Sequence, residues 1–118
     1  MEVVILSTVH SQFQVPMVEA AMNGMEAYLT TIIPGKTPCL TCLFPEKPEW
    51  DRWGFGVLGA VSGTLACLAA LEAIKLITGL GDPLLGQLLT MDLARANFKK
   101  LRTYQDPHCP TCGGSHCT

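Results

Sequence analysis

The sequence predicts an α/β fold in which a mixed β-sheet and one long helix are closed by a site of four cysteines. Short runs rich in β-branched and aromatic residues lie between turn residues. One longer stretch repeats apolar side chains at helical spacing, and two Cys-x-x-Cys pairs lie far apart in the chain. At 118 residues the chain is one domain at most.

The composition is apolar and poor in charge. Hydrophobic residues make up 48% of the chain and charged residues 15%, whereas ordinary globular domains carry about 25% charged residues. This profile excludes a disordered chain, and it predicts that a partner, a second subunit or another part of the same protein covers some of the surface. The net charge is −2 and no basic cluster is longer than Lys99-Lys100, which argues against nucleic acid as a partner.

Five segments have the side chains of β-strands. They are residues 2–6, 15–21, 26–33, 84–93 and 96–104. Pro16 has no N–H to give to a ladder, so it belongs at the beginning of the second strand. Asn23-Gly24 is a turn signal that joins the second strand to the third.

Residues 56–78 give the clearest helical pattern. Val61, Leu65 and Leu68 belong to a series of apolar residues at steps of three and four, and Gly79 follows its end as a C-cap. Small residues give the helix a second, flat face that can lie close to another backbone; they are Gly59, Gly63, Ala66 and Ala70. We expect a buried helix with Glu72 and Lys75 on a polar edge, and Cys67 as a small core residue.

A membrane span is the weaker interpretation of the same region. Residues 54–71 contain no charge, and these eighteen residues reach the lower limit for crossing a bilayer. The stretch is rich in glycine, however, and it lacks aromatic belts and a basic flank. We therefore expect no membrane as a partner.

The four cysteines are the strongest chemical signal. Cys39 and Cys42 form one Cys-x-x-Cys pair and Cys109 and Cys112 the other, and four thiolates at tetrahedral angles make a closed structural zinc site. Two disulfides or redox-active thiols are the alternatives. The N-terminus lacks the basic region and the long apolar run of a signal peptide, so we expect a reducing cytoplasm, which favours metal. His116 and Cys117 are alternative candidate ligands, but their spacing suits a metal site less well than that of Cys109 and Cys112.

Two tryptophans lie in the segment after the first pair. Trp50 and Trp53 stand among proline and charged turn residues, which predicts an exposed loop. The indoles either cover the zinc turn or the helix, or form a partner surface, since Trp is enriched at binding hot spots.

Four motifs in order resemble the ThiF/MoeB/HesA family of adenylyltransferases, which are related to ubiquitin-activating enzymes. The motifs are Pro-Gly-Lys-Thr-Pro-Cys-Leu-Thr-Cys-Leu-Phe-Pro-Glu, Gly-Val-Leu-Gly-Ala-Val-Ser-Gly, Leu-Glu-Ala-Ile-Lys-Leu-Ile-Thr-Gly and Asp-Pro-His-Cys-Pro-Thr-Cys-Gly. The resemblance covers about residues 15–113. It divides the chain into residues 1–14, of uncertain homology, and residues 15–118, a C-terminal portion of the family's Rossmann-type domain.

The resemblance implies a function for the whole family. Its members use ATP to adenylate the C-terminal glycine of a ubiquitin-like sulfur carrier, which is then the expected partner. It also implies that the four paired cysteines are zinc ligands, that the loop after Cys42 is the crossover segment above the carrier tail, and that the chain pairs as a homodimer with a continuous sheet.

Two features of the family are missing from this sequence. The Gly-rich nucleotide-binding half is not found, and residues 6–10 hold no Asp where the family has its magnesium ligand. Residues 51–55 hold no Cys where many relatives have their nucleophile, and thiolate chemistry requires a thiol. We therefore expect no catalytic or nucleotide-binding residue, and no ATP or magnesium bound by this chain alone.

Two functional classes remain open at this point. The first is the zinc-binding portion of a family enzyme, inactive alone. The second is a stand-alone interaction module held together by zinc, which binds a partner without catalysis. A redox protein that uses its Cys-x-x-Cys pairs is a distant third.

Overall fold

The computed structural model describes residues 13–43 and 58–109. Within these ranges four strands form one sheet in the order β1-β2-β3-β4, with antiparallel ladders throughout. The strands are β1 (Met17–Asn23), β2 (Glu26–Ile32), β3 (Gln87–Asp92) and β4 (Asn97–Arg102). An isolated bridge between Thr31 and Leu85 is parallel. The predicted α/β class is confirmed, and among the described residues that bridge is the parallel pairing that makes the sheet mixed.

The hairpin of β1 and β2 forms where the turn signal predicted it. Asn23 pairs with Glu26, so the loop has two residues, and the first of them, Gly24, has a φ of 63°. Two-residue hairpin loops require such a positive φ, which glycine adopts without a steric penalty. The four predicted strands from residue 15 onward are confirmed with shifted ends, whereas the predicted strand at residues 2–6 lies outside the described residues.

Within the described ranges, two helices lie between β2 and β3. Helix α1 (Leu40–Leu43) is a single turn, and helix α2 (Gly59–Thr78) crosses one face of the sheet. Leu65 of α2 packs with Leu29, Met91, Ala27 and Leu84 in the main core cluster. Burial of a leucine or methionine side chain contributes about 1.5–3 kcal/mol, so this layer accounts for much of the stability of the fold.

The expectation of a buried α2 is wrong for one face of the helix. Only Val61, Leu65 and Glu72 of this helix are buried, whereas Ile74 and Ile77 are 49% and 84% exposed. The sheet covers one face of the helix, and no element in the described ranges covers the other. By length and composition alone α2 could cross a membrane. In this structure it packs on the sheet.

The expectation that Cys67 is buried is wrong for the same reason. It was predicted as a small core residue, but it is exposed on the outer face of α2. Its neighbours along the helix are apolar on both faces, so hydropathy could not distinguish the face that meets the sheet from the face that does not.

Candidate metal centre

A tight turn after β2 positions the first cysteine pair. The amides of Lys36 and Thr37 both donate to the carbonyl of Ile33 at 3.1 Å. The Thr37 hydroxyl accepts a hydrogen bond from the Ile33 amide at 2.9 Å, and Gly35 adopts a φ of 82° within the turn. These bonds reverse the chain so that Cys39 enters the interior, where it is 2% exposed.

Helix α1 brings Cys42 beside Cys39. The Leu43 amide donates to the Cys39 carbonyl at 3.3 Å, which closes one helical turn. Residues three apart lie on the same side of a helical turn, so the two thiols face a common point. This is the physical reason for the Cys-x-x-Cys spacing.

A second turn positions Cys109 from the other end of the described chain. The side chain of Asp106 accepts a hydrogen bond from the His108 amide at 2.9 Å, and the Asp106 carbonyl accepts from the Cys109 amide at 3.1 Å. An Asp side chain that bonds to the backbone two residues later is a common turn device. It leaves His108 exposed and directs Cys109 inward, where it is 2% exposed.

The three thiols form one cluster, defined here as the metal centre: Cys39, Cys42 and Cys109. The Cys39 sulfur lies 3.6 Å from that of Cys42 and 3.5 Å from that of Cys109. All three Sγ atoms lie within 4.8 Å of one another. Thiolates about 2.3 Å from one tetrahedral ion lie about 3.8 Å apart, so the cluster has the dimensions of a metal site.

The geometry also bears on the two alternatives. The sulfur–sulfur distances of 3.6 Å and 3.5 Å are well beyond the length of a disulfide bond, about 2.05 Å. Reactive redox cysteines are partly exposed, whereas Cys39 and Cys109 are buried. The cluster is therefore a group of residues that could hold a metal ion.

The structure brings together three of the four predicted ligands. Cys112, the fourth, lies outside the described residues, as do the lesser candidates His116 and Cys117 and the tryptophans Trp50 and Trp53. Cys112 as a ligand therefore stays a prediction. Cys67 is free and exposed and does not belong to the cluster.

Glu72 is a buried polar residue whose position the sequence did not predict. It was expected on a polar edge of the helix, yet it is 2% exposed. Its Oε2 accepts hydrogen bonds from the Thr31 hydroxyl and the Leu84 amide, both at 2.8 Å, and its Oε1 lies 2.9 Å from the Lys75 ammonium. A carboxylate at three-residue spacing from a Lys in an otherwise uncharged helix was the available signal.

These bonds determine the charge state of Glu72. Burial raises its pKa, but the hydrogen bonds from the Leu84 amide, Lys75 and Thr31, together with the charge of Lys75, outweigh burial. The pKa therefore lies below its ordinary value of 4.5. The ionised carboxylate joins α2 to β2 and to the segment before β3, close to where the metal-centre turn leaves the sheet.

The fold is of the α/β class, and a cluster of thiols that could hold a metal ion lies between two of its turns. Comparison with known proteins identifies the particular family: the ThiF family matches residues 3–111, and the chain belongs to it. The resemblance inferred from the four motifs is thereby confirmed.

Several curated proteins are similar to this chain. Protein HesA of Leptolyngbya boryana is 74% identical over 102 residues, which are 86% of this chain and 37% of that protein. The adenylyltransferase and sulfurtransferase MOCS3-1 of Zea mays is 43% identical, over 83% of this chain and 22% of that protein. The SAMP-activating enzyme E1 of Haloferax volcanii is 40% identical, over 84% of this chain and 38% of that protein. The chain thus spans about two fifths of the length of the HesA relative.

Solved structures show the same fold. Escherichia coli MccB in complex with ATP superposes with a TM-score of 0.78 at 20% identity, over 94% of this chain and 36% of that protein. A heterocyclase in complex with substrate and cofactor gives a TM-score of 0.78 at 19% identity, over 95% of this chain and 19% of that protein. At this level of identity the likeness concerns the fold alone.

Proposed function

We propose that this chain is the zinc-binding C-terminal portion of a ThiF/MoeB/HesA-type enzyme. That enzyme would use ATP to adenylate the C-terminal glycine of a ubiquitin-like sulfur carrier. The observation that carries the proposal is the cluster of three thiols, two of them buried, within a chain that belongs to the ThiF family. The adenylyltransferase names of the maize relative and the E1 name of the archaeal relative support the reaction class.

The metal would be zinc, and its role would be structural. Soft thiolates and tetrahedral spacing favour zinc, and a closed thiolate site leaves no position for substrate. Cys39, Cys42 and Cys109 would hold it, with Cys112 as the fourth ligand. The ion would supply folding free energy and would keep the turn after β2 against the turn after β4.

The reaction itself would need residues beyond those of this chain. In carrier adenylation the carboxylate of the terminal glycine attacks the α-phosphorus of ATP, and pyrophosphate leaves. Transfer to phosphorus depends on cations and donors that hold the phosphates, which the sequence does not offer in a recognisable motif. We propose that the chain is inactive alone, works in the reducing cytoplasm and assembles with a second chain.

An interaction module without catalysis is the second candidate, and the outer face of α2 favours it. Leu71, Ile74 and Ile77 are exposed there by 51%, 49% and 84%, and the described chain offers nothing that covers them. Such a face suits a protein partner. The two candidates differ in whether ATP is consumed in the assembled complex.

One experiment separates the candidates. The full chain is mixed with the portion of the Leptolyngbya HesA protein that it does not match and with a ubiquitin-like sulfur carrier, and pyrophosphate release is followed with ATP and magnesium. The enzyme proposal predicts release that requires all three proteins and none from this chain alone. Stable assembly without pyrophosphate would establish the interaction module instead. Tight ATP binding by this chain alone would contradict the proposal that it lacks a nucleotide site.

A further inference from the structure

A basic cleft lies beside the metal centre. Its volume is about 640 Å³. Residues 36–38 form one wall, the end of β4 with the residues that follow forms the other, and residues 85–87 also line it. The first wall leads directly into Cys39, and the second leads through the Asp106 turn into Cys109. The thiol cluster that joins these cysteines therefore fixes the distance between the two walls.

The cleft concentrates positive charge among the residues that line it. Lys36, Lys100 and Arg102 line it, and no Asp or Glu is among the lining residues. Within residues 13–43 and 58–109, Lys75 and Arg95 have ion pairs, with Glu72 and Asp92, whereas these three, like Lys99 on the other face of the strand, have none. The cluster stands out because the chain as a whole carries a net charge of −2.

Strand β4 places two of these charges on the same side. Lys100 and Arg102 are two residues apart in a strand, so their side chains point to the same face, while Lys99 points to the opposite face. Strand β4 is also an edge of the described sheet, since it pairs with β3 alone. Tyr104, 74% exposed, continues the line of the cleft beyond the strand.

We infer that this cleft binds an acidic segment of a partner protein. The Arg102 guanidinium can pair with a carboxylate through two parallel hydrogen bonds, and Lys36 and Lys100 supply compact charges on facing walls. The volume is that of a site for several residues, well beyond that of a single small anion. The inference deepens the proposed function and rests on it in one respect, because the carrier is then the partner that brings the acidic segment.

The test uses the full chain and a fluorescein-labelled hexaglutamate peptide as the probe. Binding is measured by fluorescence anisotropy at low salt and at physiological salt, where charges more than about 8 Å apart are screened. We expect the double variant Lys100→Glu/Arg102→Glu to weaken binding about tenfold or more. The matched control is Lys99→Glu, which makes the same change of charge on the other face of β4 and should alter binding less than about threefold.

Three results would overturn the inference. They are no binding of the peptide to the unmodified chain, equal weakening by Lys99→Glu and by Lys100→Glu, and displacement of the peptide by inorganic phosphate at an equal concentration of charge. The single variant Lys36→Glu tests the other wall in a turn that contains no strand pairing, and it should weaken binding as Lys100→Glu does. Circular dichroism melting of each variant shows that it is folded.

The outcome is independent of the proposed function as a whole. Peptide binding requires neither ATP nor a nucleotide-binding portion, so a failure of pyrophosphate release leaves the cleft intact. Conversely, if the peptide does not bind while the mixed proteins release pyrophosphate, the cleft is refuted and the enzyme proposal stands.

Discussion

At the scale of single residues, Glu72 shows how a charge can hold an apolar fold together. Its carboxylate is buried between α2, β2 and the segment before β3, and three donors satisfy it. A buried carboxylate without such donors would be costly, whereas a hydrogen-bonded one fixes the helix at a single position on the sheet. The pKa of Glu72 lies below its ordinary value for the same reason.

We predict that Glu72→Gln lowers the free energy of unfolding by about 1–3 kcal/mol at pH 7, because the charge-assisted bonds to Thr31, Leu84 and Lys75 are weakened. Since the folded pKa is depressed, the contribution of Glu72 is fully present above the ordinary value of 4.5 and is lost as the pH falls through the lower folded value. Urea denaturation at several pH values measures both effects.

The control for this prediction is Glu26→Gln, which makes the same change at an exposed position on β2. It should change the free energy of unfolding by less than about 0.5 kcal/mol. An acid limb of stability that is identical in the unmodified chain and in Glu72→Gln would refute this account of Glu72.

At this scale the structure places three of the four predicted cysteine ligands together, whereas the predictions for two helix residues were wrong. The spacing of Cys39, Cys42 and Cys109 encodes their turn geometry locally, so it could be read directly. Whether Glu72 or Cys67 faces the sheet depends on the rotation of α2 about its axis. In a helix that is apolar on both faces, the pattern of side chains does not specify that rotation.

At the scale of elements, the two ends of α2 are capped differently. The side chain of its N-cap residue, Leu58, makes no capping hydrogen bond. At the other end Gly79 adopts the left-handed conformation, and its amide donates a hydrogen bond to the backbone carbonyl of Lys75. The C-terminal end is therefore specified by one residue. The glycines in the first turns have a different role, since their backbone is helical.

We predict opposite effects for two Gly→Ala substitutions in this region. Gly79→Ala should destabilise the fold by about 1 kcal/mol, because Gly79 has a φ of 74°, which alanine adopts at a cost. Gly63→Ala should stabilise it by about 0.5–1 kcal/mol, since a Cβ there meets nothing within 4 Å and alanine loses less entropy in a helix. Thermal denaturation of both variants measures the difference, and equal signs would contradict the assignment of the cap.

The strands were more predictable than the packing of the helix. Alternation and turn residues are local, and they located β1, β2, β3 and β4 within a few residues. The pattern of side chains did not show which face of α2 is exposed. The low charge content nevertheless indicated that something else covers part of the surface.

At the scale of the whole molecule, the described chain has a small core and a site that joins distant segments. Cys39 and Cys109 are 70 residues apart in sequence, and their sulfurs are 3.5 Å apart in space. A small domain buries a limited fraction of its surface, so a metal that joins such segments can contribute much of the net stability.

We predict that removal of metal by a chelator lowers the melting temperature. The turn after β2 and the turn after β4 would then lose the ion that their cysteines bind in common. Differential scanning calorimetry with and without chelator measures the change. The variant Cys109→Ser serves as the control, since it should melt at a lower temperature already and should respond less to the chelator. An unchanged melting temperature in a chain shown to be free of metal would contradict a structural role for the site.

The analysis of metal content tests the central claim most directly. Inductively coupled plasma mass spectrometry is applied to the unmodified chain, to Cys39→Ser and to Cys67→Ser purified under reducing conditions. We predict about one zinc per chain for the unmodified protein and a large loss of zinc for Cys39→Ser. Cys67→Ser should also retain about one zinc, because Cys67 is exposed on α2 and does not belong to the thiol cluster. Metal-free protein with titratable thiols, or equal zinc in all three chains, would contradict the assignment of Cys39, Cys42 and Cys109 as the metal centre.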